Sequence, residues 1–228
     1  DMTAHNSFAQ LLPAFALSMV AVGLSAPAAM SGNTLVVGTS LVLSTFFGIT
    51  AMLYAAYASV TAFSAMLMHG TARESGPTLM VIVPLLTVLG IMMLRQNHGL
   101  HTAFEVHGSP AETLIMLARI LTIQIVFSLL GLLVMTRQKY FSDFVFGSKL
   151  SPGSYALICP GVALSVMLHF FINKGLVGAQ IIDKFGLGFW VLSVLALTLQ
   201  WMMIVLVLRL NRQHFKIGPV QTAVVPAE

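Results

Sequence analysis

Charged residues are scarce in this sequence. Asp, Glu, Lys and Arg together account for only 8% of the 228 residues, whereas a soluble globular domain carries about 25%. Hydrophobic residues account for 57%, and the mean hydropathy is +0.92. This composition is not that of a soluble domain, and it predicts a protein that crosses a membrane several times.

Cysteine is almost absent, because Cys159 is the only one in the chain. A single thiol excludes an internal disulfide and a cysteine-based metal cluster, and we expect Cys159 to be buried as a small hydrophobic residue. The sequence also has no nucleophile elbow, no phosphate-binding glycine loop, no paired zinc-ligand motif and no kinase signature. We therefore expect a protein that is not an enzyme.

Polar residues are rare enough to leave six long apolar runs. A helix needs about 20 apolar residues to cross the hydrocarbon of a bilayer, and the runs show no polar–apolar alternation, which excludes a transmembrane barrel. We predict an all-α integral membrane protein with one transmembrane domain, residues 1–210, and a cytoplasmic tail, residues 211–228. The predicted spans lie near residues 8–30, 37–68, 77–95, 111–136, 152–174 and 186–209.

Prolines interrupt alternate runs. The first run contains Pro13 and Pro27, the third contains Pro84 and the fifth contains Pro160, whereas the even-numbered runs contain none. A proline inside a helix removes a backbone hydrogen bond, and in a membrane such a break survives only where protein or water satisfies the freed carbonyls. We therefore predict three hairpins, in which the odd helices are proline-kinked and inner and the even helices are outer.

Small and hydroxyl-bearing residues follow these prolines. Ser18, Thr87 and Ser165 each lie three or five residues after a proline, and Gly161 directly follows one. Hydroxyls can bond freed carbonyls, so the pattern leaves open both kink repair and the lining of a pore. Phe170 either plugs a narrow pore or packs against a neighbour. The pore or substrate candidates on these helices are Pro13, Ser18, Pro84, Thr87, Pro160, Gly161, Ser165 and Phe170.

Two ionisable residues, Arg119 and His169, lie inside the apolar runs. Charge at such depth is costly and usually faces the bundle interior or water. We predict that both residues line an outer vestibule that draws small anions inward. The alternative is that Arg119 extends to the lipid headgroups and that His169 makes one hydrogen bond between helices.

Lysine and arginine are divided unevenly between the two predicted sides of the membrane. The side that holds both termini has seven of them, and the opposite side has three, which are Arg95, Lys174 and Lys184. The positive-inside bias then places both termini in the cytoplasm, and we expect a bacterial inner membrane. Because this orientation accounts for the net charge of +4, we expect no nucleic-acid partner.

The predicted outer loop after the third run is rich in histidine. On a helix, His98, His101 and Glu105 would share one face, which makes them weak candidates for a zinc or copper site. Solvated histidines or a pH-sensitive gate are the alternatives. We expect no resident metal or cofactor; the alternative is haem b, held by His98 or His101 together with His169.

The stretch Ser151–Leu164, SPGSYALICPGVAL, resembles the penultimate, proline-broken helix of the tellurite-resistance/dicarboxylate transporter family, to which the plant slow-type anion channels belong. The alternation of kinked and plain helices is similar as well. The resemblance implies ten helices in five hairpins around a pore, of which this chain supplies the last six, with four more upstream. It also implies cytoplasmic termini, trimers, a pore lined by odd helices, and an occluding phenylalanine beside Pro160, where this chain has Cys159.

Together these patterns favour a membrane transporter or channel for small anions. We expect the lipid bilayer and small anions as its partners, and assembly as a homo-oligomer such as a trimer. The alternative function is a membrane subunit of a redox complex that binds haem or quinone, for which the histidines are the support.

Overall fold

The structure is a computed structural model that describes residues 7–70, 73–106 and 108–215. Within these ranges every regular element is a helix, which confirms the all-helical prediction for the described part of the chain. Six helical segments in the same ranges are long and apolar enough to cross a membrane. The predicted number of helices that are long and apolar enough to cross a membrane is therefore confirmed for the described residues.

We number these six helices α1 to α6 in chain order. They are α1 (Phe8–Met30), α2 (Thr34–His69), α3 (Arg73–Phe104), α4 (Pro110–Arg137), α5 (Pro152–Leu176) and α6 (Leu187–His214). Helix α3 continues past the predicted end near residue 95, so the segment predicted as an outer loop forms its last turns. Helix α6 likewise extends beyond residue 209, and residues 216–228 of the predicted tail lie outside the described ranges.

The odd-numbered helices change helix type along their length, whereas each even-numbered helix is one unbroken α-helix. Each odd-numbered helix begins with a 3₁₀-helical segment, which is Phe8–Leu11 in α1, Arg73–Met80 in α3 and Pro152–Leu157 in α5. Pro13, Pro84 and Pro160 then lie in the first turn of the α-helical part that follows. Amides in a first turn have no helical acceptor, so each proline is accommodated where the helix type changes.

Helix α3 occupies the centre of the bundle and packs against α1, α2, α4 and α5, whereas α6 packs mainly against α5. The buried share of residues in the most apolar stretch of each helix differs widely. It is 61% in α3 and only 11% in α6. It is 33% in α1 and α5 and 28% in α2 and α4. The predicted contrast between inner odd helices and outer even helices is therefore clear only for α3 and α6.

Helices that follow each other in the chain touch in antiparallel order. In α1 and α2, Gln10 lies opposite Thr61, and the amide of Ala28 donates to the Ser40 hydroxyl. In α5 and α6, Tyr155 donates to Asn211, and Ser165 bonds the carbonyl of Ala196 near the other end. The arrangement of these pairs as hairpins around a common axis remains a prediction.

Large apolar side chains cover much of the outer surface. Exposed examples on α2 and α6 are Val42, Phe46, Leu53, Tyr57, Trp190 and Trp201. Such a surface would be unfavourable in water, because it leaves contiguous apolar area unburied. It suits a hydrocarbon environment and agrees with the membrane protein predicted from composition.

Candidate functional site

A small cavity lies where the three odd-numbered helices meet at one end of the bundle. It encloses about 170 Å³, and we call it the proline cavity because Pro84 and Pro160 form part of its wall. Helix α1 lines it with Phe8, Leu12 and Phe15, and we name this end of the bundle the Phe8 end. Two of the predicted pore residues, on different helices, are therefore brought together.

Cys159 also lines the proline cavity. Its side chain is exposed, so the prediction of a buried thiol is wrong. The residue precedes Pro160, at the position where the family resemblance implies an occluding phenylalanine. A cysteine side chain is much smaller than a phenylalanine ring, so it leaves this part of the cavity open.

A larger hollow of about 710 Å³ lies at the opposite end of the bundle. It is formed by α3, the start of α4, the end of α5 and the last turn of α1. We call it the basic hollow, because basic residues predominate among its described ionisable lining residues, which are Arg95, His98, His101, Glu112 and Lys174. Apart from Glu112, these residues attract anions when they are protonated.

Helices α3 and α5 touch each other between the proline cavity and the basic hollow. The Thr87 hydroxyl oxygen lies 3.1 Å from the carbonyl oxygen of Val83 and 3.2 Å from that of Ala163, so its single hydrogen is donated to either one. One turn further along α3, a β-carbon built on Gly90 would lie 2.8 Å from Cε of Met167. We call these contacts the α3–α5 seam. The seam therefore holds α3 and α5 in contact between the cavity and the hollow.

A fully buried side chain of α4 joins this seam. Nε2 of Gln124 donates to the Val83 carbonyl at 2.9 Å and to the Thr87 hydroxyl at 2.7 Å. Its Oε1 atom is buried and has no hydrogen-bond partner among the described residues. A buried acceptor without a partner costs about 1–3 kcal/mol. Sequence reasoning missed Gln124, because a single amide in an apolar run matches no motif.

The break in α1 is repaired by a side chain of α2. The α-helix is interrupted at Ser25, and Pro27 brings no amide hydrogen to the next turn. Ser40 accepts a hydrogen bond from the amide of Ala28 at 3.0 Å and donates to the carbonyl of Leu24 at 2.5 Å. Backbone groups freed at a proline are thus satisfied inside the protein, as a membrane requires.

Arg95 connects the same break to the basic hollow. Its Nη1 atom donates to the carbonyl of Val22 on α1 at 2.8 Å, and the partly buried side chain lines the hollow. From the sequence alone, Arg95 was only one of the charges on the predicted outer side of the membrane. Pro27 could have indicated its role, because a proline break frees carbonyls for which a nearby arginine is a suitable donor.

The other predicted hydroxyl residues bond carbonyls and line neither the cavity nor the hollow. Ser18 is buried and donates to the carbonyl of Phe15 in its own helix at 2.7 Å. Ser165 is also buried and donates to the carbonyl of Ala196 in α6 at 2.7 Å. Of the two interpretations that the sequence left open, these contacts favour carbonyl pairing over pore lining.

Pro13 and Gly161 do not line the proline cavity. Pro13 is exposed at the start of α1. Gly161 lies within a regular α-helix and against Met203 of α6, where a β-carbon would clash with the methionine. The glycine therefore allows close packing of α5 on α6.

The structure does not bring Arg119 and His169 together. Arg119 is exposed in a third hollow, of about 520 Å³, which lies between α2, α3 and α4 and which we call the Arg119 hollow. Nδ1 of His169 lies 2.8 Å from the carbonyl oxygen of Ser165, one turn earlier in the same helix. Of Arg119, His169 and Phe170, only Phe170 lines the basic hollow, where it is partly buried.

Two residues of the predicted metal group, His98 and His101, line the basic hollow. Both belong to the last turns of α3, and Glu105 follows the helix with a positive φ of 55°. Within the described residues, no three His, Cys, Asp or Glu side chains are grouped closely enough to hold a metal ion. The expectation of no resident metal or cofactor and the haem alternative both remain predictions.

No protein-family model, no curated protein and no solved structure matches this chain. The resemblance of Ser151–Leu164 to the tellurite-resistance/dicarboxylate transporter family therefore remains a prediction. The functional conclusion depends on the geometry of the cavity, the hollow and the seam.

Proposed function

We propose that the chain forms part of a conduit for small anions across a membrane. The observation that carries this proposal is the position of the proline cavity and the basic hollow at opposite ends of the same three helices, α1, α3 and α5. Along α3, Pro84 lines the cavity and Ile91 lines the hollow. At about 1.5 Å per residue, the seam between them is only about 10 Å thick.

The charges of the basic hollow favour anions as the transported species. Arg95 and Lys174 carry positive charges, and His98 and His101 add two further basic side chains. A concave site lined by one sign of charge raises the local concentration of the opposite ion. Passage beyond the hollow requires α3 and α5 to separate at Thr87, because the seam blocks the path.

Basic residues near the Phe8 end support a cytoplasmic location for that end. Arg73 and Lys149 pair with Asp143, and Arg209 donates to the carbonyl of Val145 in the same region. We therefore propose a bacterial inner membrane with both termini in the cytoplasm. We also propose a homo-oligomer such as a trimer, and a transport function in place of an enzymatic one.

Lys174→Gln tests the part played by the basic hollow. We expect efflux of chloride or nitrate from liposomes containing the variant to fall roughly fivefold, because one charge at a wet mouth is worth about 1 kcal/mol. The difference should shrink at high salt. Lys184→Gln is the matched control, since Lys184 lies over the Phe185 ring and does not line the hollow. Equal efflux in both variants would contradict the proposal.

Met167→Ala tests the route through the seam. Met167 is fully buried against Gly90, and removing its side chain should open a gap between the cavity and the hollow at a cost of about 2–5 kcal/mol in stability. We expect faster anion efflux than in the wild type. Leu121→Ala is the control, because Leu121 is buried in the same apolar cluster but lies on α4. A leak that is larger for Leu121→Ala would place the path elsewhere.

One observation favours the redox alternative: His98 and His101 line the same hollow. A haem iron held by histidines gives a Soret absorption band, and a pair of ligands at matched depth is needed for haem b. The absorption spectrum of the purified chain distinguishes the two functions. A Soret band that is lost in His98→Ala or His101→Ala would support the redox subunit against the conduit.

A further inference from the structure

The Arg119 hollow is apolar except for two charged side chains. Its apolar wall includes Met52 from α2, Leu89 and Met93 from α3, and Ile115, Met116 and Ile120 from α4. Arg119 and Glu112, both on α4, are the charged residues of its described lining. The hollow shares no lining residue with the proline cavity and only Glu112 with the basic hollow.

The guanidinium of Arg119 is paired with no carboxylate among the described residues. It forms neither a hydrogen bond nor an ion pair with any other described residue, and the side chain is exposed. The residue lies nine positions after Pro110, the first residue of α4, which places it about 13 Å into the helix. A charge that faces apolar surroundings at such a depth is unfavourable unless an anion or water reaches it.

Glu112 supplies the opposite charge nearer to the end of the same helix. It precedes Arg119 by seven residues, or about 10 Å along the axis. Its Oε2 atom accepts the amide of Ser109 at 3.1 Å in a capping box, and a carboxylate can accept further hydrogen bonds. Along α4 toward its first residue, the hollow therefore presents a cation and then an anion, with the apolar side chains of Ile115 and Met116 between them.

We propose that the Arg119 hollow binds one phospholipid with a primary amine headgroup, such as phosphatidylethanolamine. Such a lipid carries a phosphate that pairs with Arg119, an ammonium group that pairs with Glu112, and acyl chains that pack on the apolar lining. A guanidinium binds phosphate oxygens through two parallel hydrogen bonds. The ammonium group can donate to Glu112.

Other lipids match this pair of charges less well. Phosphatidylglycerol would satisfy Arg119 but places no cation at Glu112. Phosphatidylcholine carries a quaternary ammonium group, which has no hydrogen to donate to the carboxylate. A preference for the primary amine is thus a specific consequence of the proposal, and it requires only that α4 spans a membrane.

The test is native mass spectrometry of the full chain in micelles that contain phosphatidylethanolamine, phosphatidylglycerol and phosphatidylcholine at equal concentration. We expect one phosphatidylethanolamine to be retained by the wild type. Arg119→Gln should weaken retention of all three lipids roughly fivefold, as for the loss of a partly solvated ion pair. Glu112→Gln keeps the capping box, because glutamine also serves at that position, and should remove only the preference for phosphatidylethanolamine.

Two further variants make the result decisive. Arg212→Gln removes an exposed charge at the far end of α6 and should bind lipid as the wild type does. Ile115→Trp leaves both charges in place but fills the hollow, and it should also reduce retention, with folding checked by circular dichroism. Equal retention of the three lipids by the wild type would overturn the proposal. Unchanged retention by Arg119→Gln, or equal losses in Arg212→Gln, would overturn it too.

Discussion

Replacing Gln124 with leucine tests whether the α3–α5 seam contains an unfavourable polar group. The amide makes two hydrogen bonds through Nε2 and leaves Oε1 buried without a partner among the described residues. Leucine has a similar size and carries no polar atom. The substitution therefore removes two favourable contacts and one unfavourable atom in a single step.

The two contributions have opposite signs. A side-chain hydrogen bond between membrane helices averages about 0.6 kcal/mol, so the two bonds of Gln124 are worth about 1.2 kcal/mol. The buried Oε1 atom costs about 1–3 kcal/mol. The Gln124→Leu variant should therefore range from equal in stability to about 2 kcal/mol more stable than the wild type.

Thr87→Val is the matched comparison at the same seam. It removes the hydroxyl that bonds a carbonyl and accepts from Gln124, but it leaves Oε1 as it was. We expect it to destabilise the protein by about 1–2 kcal/mol, since it breaks contacts without relieving any unfavourable atom.

Reversible unfolding in mixed micelles, with an increasing fraction of dodecyl sulfate, gives the free energy of unfolding for each variant. Circular dichroism of the folded proteins provides the control for retained helix content. If Gln124→Leu were destabilised by more than about 1 kcal/mol, the loss would exceed what the relief of Oε1 allows. Oε1 would then have a partner, such as an ordered water, and the reasoning would be refuted.

Two other substitutions give expected results at separate positions. Gly99→Ala should destabilise the protein by about 1–3 kcal/mol, because the added β-carbon would lie 2.5 Å from the carbonyl oxygen of Ala28. Gly23→Ala is the control and should not destabilise the protein, because a β-carbon there would have no atom within 4 Å. Thermal melts check both variants. A hydrogen bond from Lys149 holds the pKa of Asp143 below its ordinary 3.8. The stabilisation by this carboxylate is therefore full above about pH 4 and lost as the pH falls through the lowered pKa, so melts of Asp143→Asn should differ from the wild type at pH 7 and converge in acid.

The number of helices could be predicted because apolar runs of membrane length have few other structural solutions. The residue at which α3 ends could not be predicted. Arg95 and Gln96 made that segment look like a polar loop, but Gln96 donates to Ser44 and Thr45 of α2, and Arg95 donates to α1. Polar residues at the end of a span stabilise the helix by contacts with its neighbours, and sequence spacing does not reveal those contacts.

The direction that each side chain faces was the less predictable part of the site. Pro84 and Pro160 do share a cavity, as the alternating breaks suggested. Arg119 and Gln124 lie on α4, where the apolar sequence gives no indication of which side faces the bundle. One is exposed in the Arg119 hollow, and the other is fully buried at the seam. Only the packing of α4 against α3 decides between these surroundings.

The unpartnered oxygen of Gln124 bears on how the proposed conduit would open. Separation of α3 from α5 breaks the contact between the Thr87 hydroxyl and the Ala163 carbonyl, and in a dry interior the exposed groups would be unfavourable. If water enters the gap, it hydrates these groups and also Oε1, which has no partner among the described residues while the seam is closed. The cost of that atom, about 1–3 kcal/mol, is then removed on opening. A polar group that weakens the closed seam thus favours a water-filled path between the cavity and the hollow.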